Sequence, residues 1–217
     1  MHKKVVIVDY NLGNLFSVNQ ALKNIGLYPK VSSDPQDINN ADALLLPGVG
    51  AFNEAMLNLD RMNLIEPIRN FVEKGKPFMG ICLGLQLLFS ESEEFGSAKG
   101  LNLIPGKVKR FGNLTESQQP LKVPQIAWNS IHESHKGKWQ NTPFQHIQDG
   151  ENMYFVHSYY VNPVDDEVTL STSTYGSTEY CSSIIKENIF ACQFHPEKSA
   201  QMGISIYRQW ALQNNLK

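Results

Sequence analysis

Very little in this 217-residue chain points to an unusual environment. Cysteine is scarce: three residues, Cys82, Cys181 and Cys192, an odd number with no C-x-x-C pair. That usage argues against a disulfide framework and a structural zinc site, and fits reduced thiols. Charge of either sign is also missing as a signal, since 19 basic residues face 21 acidic ones for a net −2. A footprint for nucleic acid or an anionic membrane is therefore not expected. Long apolar runs are absent. The N-terminal "MHKKVVIVDY" offers only Val5 to Val8, too short for a signal peptide or a spanning helix, so a cytoplasmic location is expected. No low-complexity tract, charge block or internal repeat divides the chain. Its length suits one domain, residues 1–217, with a sizeable core.

What is present is alternation. "KKVVIVDY", "YPKVSS", "ADALLLPGVG" and "KPFMGIC" read as strands, the third breaking at Pro47-Gly48. Between them, "GNLFSVNQALKNIG" places Leu15, Val18, Ala21, Leu22 and Ile25 at helical spacing before a Gly26 stop. "AFNEAMLNLDR", "LIEPIRNFVEKG" and "LGLQLLFSESEEFG" also read as helices. Such alternation predicts right-handed crossovers and a mostly parallel central sheet flanked by helices, an α/β fold. After about Gly100 the segments "IPGKVKRF", "VPQIAWNSI", "ENMYFVHSYYVNP", "EVTLSTSTYG", "YCSSIIKE" and "NIFACQFHPE" are rich in β-branched and aromatic residues. They predict additional antiparallel strands, on the edge of the first sheet or in a second small one. "MGISIYRQWALQNN" closes the chain as a helix.

Three stretches fall where open α/β sheets gather their chemistry, at the carboxyl ends of strands. In "GICLG" the strand is expected to turn sharply into a helix at Cys82, with Gly80 and Gly84 clearing space. This is the logic of the G-x-S-x-G nucleophile elbow with a thiol in place of the hydroxyl. A helix N-terminus there is expected to lower the thiol pKa. On the pentapeptide alone, a buried structural cysteine between packing glycines stays equally open. "QFHPEKS" adds a base and an acid two residues apart, His195 and Glu197, so that Glu197 can fix one ring nitrogen while the other reaches Cys82. A zinc deaminase reading of His-x-Glu fails because no P-C-x-x-C half accompanies it. "LLLPGVGAF" ends a strand in glycines whose amides suit an oxyanion, and it matches neither phosphate-binding glycine pattern. Together the three describe acyl transfer through a thioester, with no metal or cofactor expected.

The pair "GICLGLQLLF" and "QFHPEKS" resembles the class I (triad-type) glutamine amidotransferase family, whose core is flavodoxin-like. Within it, "DYNLGNLFSV", "LPGVGAF", "WNSI", "FVHSYY" and "NIFACQFHPEKS" resemble the glutaminase-subunit family of imidazole glycerol phosphate synthases, over nearly the whole chain. The resemblance implies a triad of Cys82, His195 and Glu197 and an oxyanion hole from Gly48, Val49 and Gly50. It implies Gln86, Ser158 and Tyr159 as residues that hold glutamine. It also implies a heterodimer with a (β/α)8-barrel cyclase subunit, which takes the ammonia into the histidine pathway. The family pattern V-P-H-M-G-W-N reads "VPQIAWN" here, with Gln125 and Ala127 in a segment expected to face the partner. A relative serving surface-sugar biosynthesis, or a free-standing cysteine γ-glutamyl hydrolase, would share the same chemistry.

The remaining candidates are expected to be inert. Cys181 and Cys192 lie in apolar strands without a base. His157 lacks a following acid and reads as structural. His2, His132, His135 and His146 read as solvated, Trp139 as a surface-loop residue and Trp210 as helix core. Trp128 suits packing or an interface equally. Glu91, Glu93 and Glu94 are expected to form the solvated end of the helix after Cys82.

Overall fold

The computed structural model describes residues 3–112 and 119–217. In chain order the first elements are β1 (Val5–Val8), α1 (Leu15–Asn24), β2 (Lys30–Ser32), α2 (Pro35–Asn40), β3 (Ala43–Gly48), α3 (Phe52–Arg61), α4 (Ile65–Glu73), β4 (Phe78–Cys82) and α5 (Leu83–Leu87). Then come β5 (Phe89–Ser92), β6 (Ala98–Lys99), β7 (Ile104–Arg110), β8 (Gln125–Ser130), β9 (His132–Glu133), β10 (Asn152–His157) and β11 (Tyr159–Pro163). The last are β12 (Thr169–Tyr175), β13 (Thr178–Lys186), β14 (Ile189–Cys192) and α6 (Ala200–Gln213).

The main sheet runs β2-β1-β3-β4-β14-β13-β11-β7-β5-β6, with β12 and β9 branching from β13. From β2 to β14 every pairing is parallel; β13, β11 and β7 then follow in antiparallel register. A separate antiparallel ribbon pairs β8 with β10, Gln125 opposite His157. The antiparallel strands thus take both expected positions, the sheet edge and a second small sheet.

The parallel strands are apolar on both faces because helices cover both. Val5 and Ile7 of β1 belong to a cluster with Val18 and Leu22 of α1, Ile206 and Trp210 of α6 and Phe155 of β10. Val6 and Val8 belong to the opposite cluster, with Ile38, Leu59, Phe71 and Leu85. Helix α1 starts where Asn14 Oδ1 accepts from the Ser17 amide, and the chain leaves it through Gly26 at φ +86°, the left-handed exit that glycine tolerates.

Three expectations need correction. The helix after Cys82 lasts only to Leu87; Phe89 to Ser92 form β5, with Phe89 opposite Ile104 and Glu91 opposite Lys99. Helical spacing loses here to the open edge of β7, which offers a ladder that a surface helix would forgo. Strand β3 does not break at Pro47 but continues, Pro47 opposite Ile81 and Gly48 opposite Cys82. Pairing with β1 has already ended at Leu45, so the proline stands where only β4 flanks the strand. Trp139 is not a surface residue. It is buried against Phe144 edge-on, and its Nε1 donates to the Leu170 carbonyl at 2.9 Å.

Among the described residues no helix is long and apolar enough to cross a membrane, and no group of three or more His, Cys, Asp or Glu could hold a metal ion. His2 lies outside the described residues.

Candidate active site

Cys82 is the last residue of β4 and caps α5, at φ 55° and ψ −110°. A residue with a Cβ rarely adopts that conformation, which costs on the order of 1–3 kcal/mol. The bend holds because its surroundings leave no alternative. A Cβ on Gly84 would stand 1.7 Å from the Leu46 carbonyl oxygen, so α5 packs directly on the backbone of β3. The corner lifts the sulfur out of the sheet and into a cavity of about 270 Å³. Cys181 and Cys192, by contrast, lie along regular strands, and burial pushes both thiols up, Cys181 to about 12.

His195 follows β14, the neighbour of β4, and its main chain is pinned on two sides. Its amide donates to the Tyr154 carbonyl at 2.9 Å, and its carbonyl accepts from Ser199 Oγ at 2.7 Å. The ring Nδ1 stands 2.8 Å from Glu197 Oε1, with both side chains buried. A carboxylate only accepts, so Nδ1 carries the proton and Nε2 is left for the sulfur. Tyr207 of α6 donates to Glu197 Oε2 at 3.3 Å. Burial alone would lower the His195 pKa. The charge of Cys82, a hydrogen bond with it, and Glu197 outweigh burial and raise the pKa to about 10. Sulfur and imidazole thus share one cavity, and the carboxylate holds the ring, between β4 and the turn after β14.

A second histidine in the same cavity behaves oppositely. His157 is buried, and burial lowers its pKa to about 4, aided by the charge of His195 and opposed by its hydrogen bond to Tyr159. Its Nδ1 donates to the Tyr159 carbonyl at 2.8 Å. It is neutral at pH 7, as a structural residue would be.

The remaining sequence-selected residues surround the sulfur. Val49 and Gly50 line the cavity, Gly50 at φ +102°; Gly48 sits at the strand end opposite Cys82. Gln86, Ser158 and Tyr159 line it as well. The Gln86 amide is already engaged: Nε2 donates to the Tyr159 carbonyl at 3.1 Å and to Gln193 Oε1 at 3.0 Å. Gln125 is fully buried behind the cavity, where its Oε1 accepts from Tyr180 OH at 3.1 Å. Its neighbours on β8, Ile126 and Trp128, are 56% and 52% exposed on the outer face.

Of the three acids expected on a solvated face, Glu91 and Glu93 stay at the surface, Glu91 paired with Lys107 at 2.6 Å, and Glu94 does not. Glu94 lines the cavity, accepts from the Phe52 amide at the start of α3 at 2.6 Å, and is held above the usual carboxylate range by burial. Charge patterning could not reveal this, because Glu94 alone turns inward from a loop, 93–97, whose other members stay exposed. Gln193 was equally invisible: in "ACQFH" it reads as one more strand residue, yet its Nε2 donates to Cys82 Sγ at 3.6 Å.

A model of the class-I glutamine amidotransferase family matches residues 6–213. The chain belongs to that family. It is 48% identical over 95% of its length to the "Imidazole glycerol phosphate synthase subunit HisH" of Syntrophotalea carbinolica, covering 98% of that protein. It is 45% identical to the protein of the same name from Geobacter sulfurreducens, over 95% of this chain and 97% of that one. Among solved structures, PurLQS from Thermotoga maritima superposes with a TM-score of 0.73 at 19% identity, each chain covered in full, a likeness that speaks to the fold alone.

Proposed function

We propose that the chain, acting as a single domain, is the glutaminase subunit of an imidazole glycerol phosphate synthase. In this reading it releases ammonia from glutamine for histidine biosynthesis. The observation that carries the reading is the strained Cys82 corner sharing one cavity with His195, whose ring Glu197 holds, within a chain 48% identical to a protein of that name.

The chemistry follows from the charges. With His195 protonated and Cys82 as thiolate, the sulfur attacks the side-chain carbonyl carbon of glutamine. Negative charge moves to the carbonyl oxygen, where the amides of the turn from Gly48 to Gly50 meet it; one such donor is worth about 3 kcal/mol. The C–N bond then breaks as His195 gives its proton to the departing nitrogen, releasing ammonia and leaving a γ-glutamyl thioester. Neutral His195 takes a proton from water, the resulting hydroxide attacks the thioester, and glutamate leaves as the thiolate returns. Glu197 keeps the ring oriented throughout. Glu94 supplies a carboxylate for the substrate's ammonium, and Gln86, Ser158 and Tyr159 wall its polar end. No cofactor enters these steps.

The ammonia passes to a synthase partner of (β/α)8-barrel form, docked as a heterodimer over the cavity mouth, where Ile126 and Trp128 present exposed apolar surface next to Pro124 and Val156 of the lining. The three unpaired thiols suit a reducing, cytoplasmic setting. Glutamate release by the chain, alone and mixed with the cyclase subunit, tests the reading. Turnover rises on mixing and is lost in Cys82→Ala; a folded Cys82→Ala protein that still hydrolyses glutamine overturns it.

A further inference from the structure

Behind the sulfur lies a polar side chain with no part in the mechanism above. Gln193 is fully buried one residue past β14, where an apolar residue would cost nothing to desolvate. A buried carboxamide must satisfy both its ends or weaken the fold. Its orientation follows from fixed backbone atoms, without any choice of amide flip. The Tyr159 carbonyl can only accept, so the Gln86 group 3.1 Å away is its Nε2. The second proton of that Nε2 points to Gln193 at 3.0 Å, which must therefore present Oε1. Gln193 Nε2 is then directed at the Cys82 sulfur, at 3.6 Å.

From this geometry we infer that Gln193 is a positioning residue of the glutaminase reaction: one buried carboxamide donates to the Cys82 thiolate and, through its oxygen, fixes Gln86. The inference rests on the glutaminase reading of the site and adds a residue to it. A donor aimed at sulfur favours the thiolate over the thiol. Once acylated, the sulfur is a poor acceptor, so the contact supports the resting nucleophile and the departing thiolate of the second step. The same arrangement consumes both protons of Gln86 Nε2. Only Gln86 Oε1 is then free to meet glutamine, and Gln86 acts toward the substrate as an acceptor.

Other titratable groups also face the sulfur and set the background. His195 from the turn after β14 and Tyr10 from the loop after β1 feel its charge, as does Cys192 from β14. Glu94 and His157 line the same cavity. None of them occupies the position of the Gln193 amide, so its removal is separable from theirs.

The test follows thiol ionisation directly and needs no glutamine turnover. Cys82 alkylation by iodoacetamide is measured against pH, with the modified residue read by peptide mass. In Gln193→Met, which keeps length and removes both polar ends, the alkylation midpoint should rise by about one to two pH units, the scale of one hydrogen bond to a charged group. In Gln193→Glu the acceptor toward Gln86 is retained, and the midpoint should rise at least as far. Glutamine turnover should fall roughly ten- to hundredfold in kcat for both, with Gln193→Glu keeping a KM nearer the wild type than Gln193→Met. A wild-type midpoint in either folded variant overturns the inference. Should neither variant fold, the wild-type protein decides. The side-chain amide resonance of Gln193 should titrate with Cys82 and shift on its alkylation, and an amide that ignores the sulfur overturns the proposal. Failure of the glutaminase reading would look different, as an alkylation shift without any glutamine hydrolysis.

Discussion

The two halves of the sheet divide the work. The parallel half, β1 to β4, delivers the proposed nucleophile and oxyanion turn as consecutive strand ends, where strand termini and helix starts converge. The later strands supply the wall: Val156 and His157 from the separate β8–β10 ribbon, Ser158 and Tyr159 leading into β11, and Glu94 after β5. Strand β14 belongs to both, antiparallel to β13 and parallel to β4, and it carries His195 to the sulfur. In the proposed reaction the reacting groups therefore sit on strand ends fixed by two covered faces, and the groups proposed to hold the substrate sit on the later strands and loops. Changes in the first half and the β14 turn should therefore act on kcat or on the fold, and changes in the second on KM.

The sharpest way to break that division is Glu197→Gln. The amide leaves the site's shape intact but no longer enforces the His195 tautomer, so kcat should drop by about 10²- to 10⁴-fold with KM little changed. Steady-state kinetics check this; a rise in KM alone would place the turn on the recognition side. Next in size is Gly84→Ala. Because the new methyl would meet the Leu46 carbonyl at 1.7 Å, the variant should lose at least about 1–3 kcal/mol in denaturant unfolding, and a neutral result would show that the corner is loosely packed. Proton NMR of the two cavity histidines comes third. His195 should titrate near pH 10 and His157 near pH 4. In Cys82→Ala the His195 midpoint should move down, since burial then faces Glu197 alone. Above pH 10 the imidazolium is discharged and kcat/KM should fall for want of a proton donor. The smallest effect is expected on the wall. Glu94→Gln should raise the KM for glutamine by roughly tenfold, the worth of about one charged contact, with kcat nearly unchanged.

Legibility in the sequence followed the same boundary. The parallel frame, the Cys82 corner and the His195–Glu197 pair were readable because each is written in contiguous residues: an apolar strand, a flanking glycine, an acid two positions from a base. Gln193 and Glu94 were not, since their roles exist only across the fold, between β14 and β4 and between β5 and α3. Local pattern failed outright where tertiary partners overrode it. Phe89 to Ser92 has helical spacing yet joins β7, and Trp139 sits in a polar stretch that folds its indole onto Phe144. Gln125, placed by sequence in a partner-facing segment, proves to be the inward residue of a strand whose alternate members Ile126 and Trp128 face out. A period of two cannot say which face is which until the pairing with β10 is known.

The central claim is that a single thiol among three is activated by one of two neighbouring histidines. Incubation with a glutamine-analogue electrophile, followed by peptide mass mapping, tests it directly. The account predicts one adduct per chain, on Cys82, lost in His195→Asn and absent from Cys181 and Cys192. Labelling that spreads over all three cysteines, or that persists on Cys82 at the wild-type rate without His195, would contradict it.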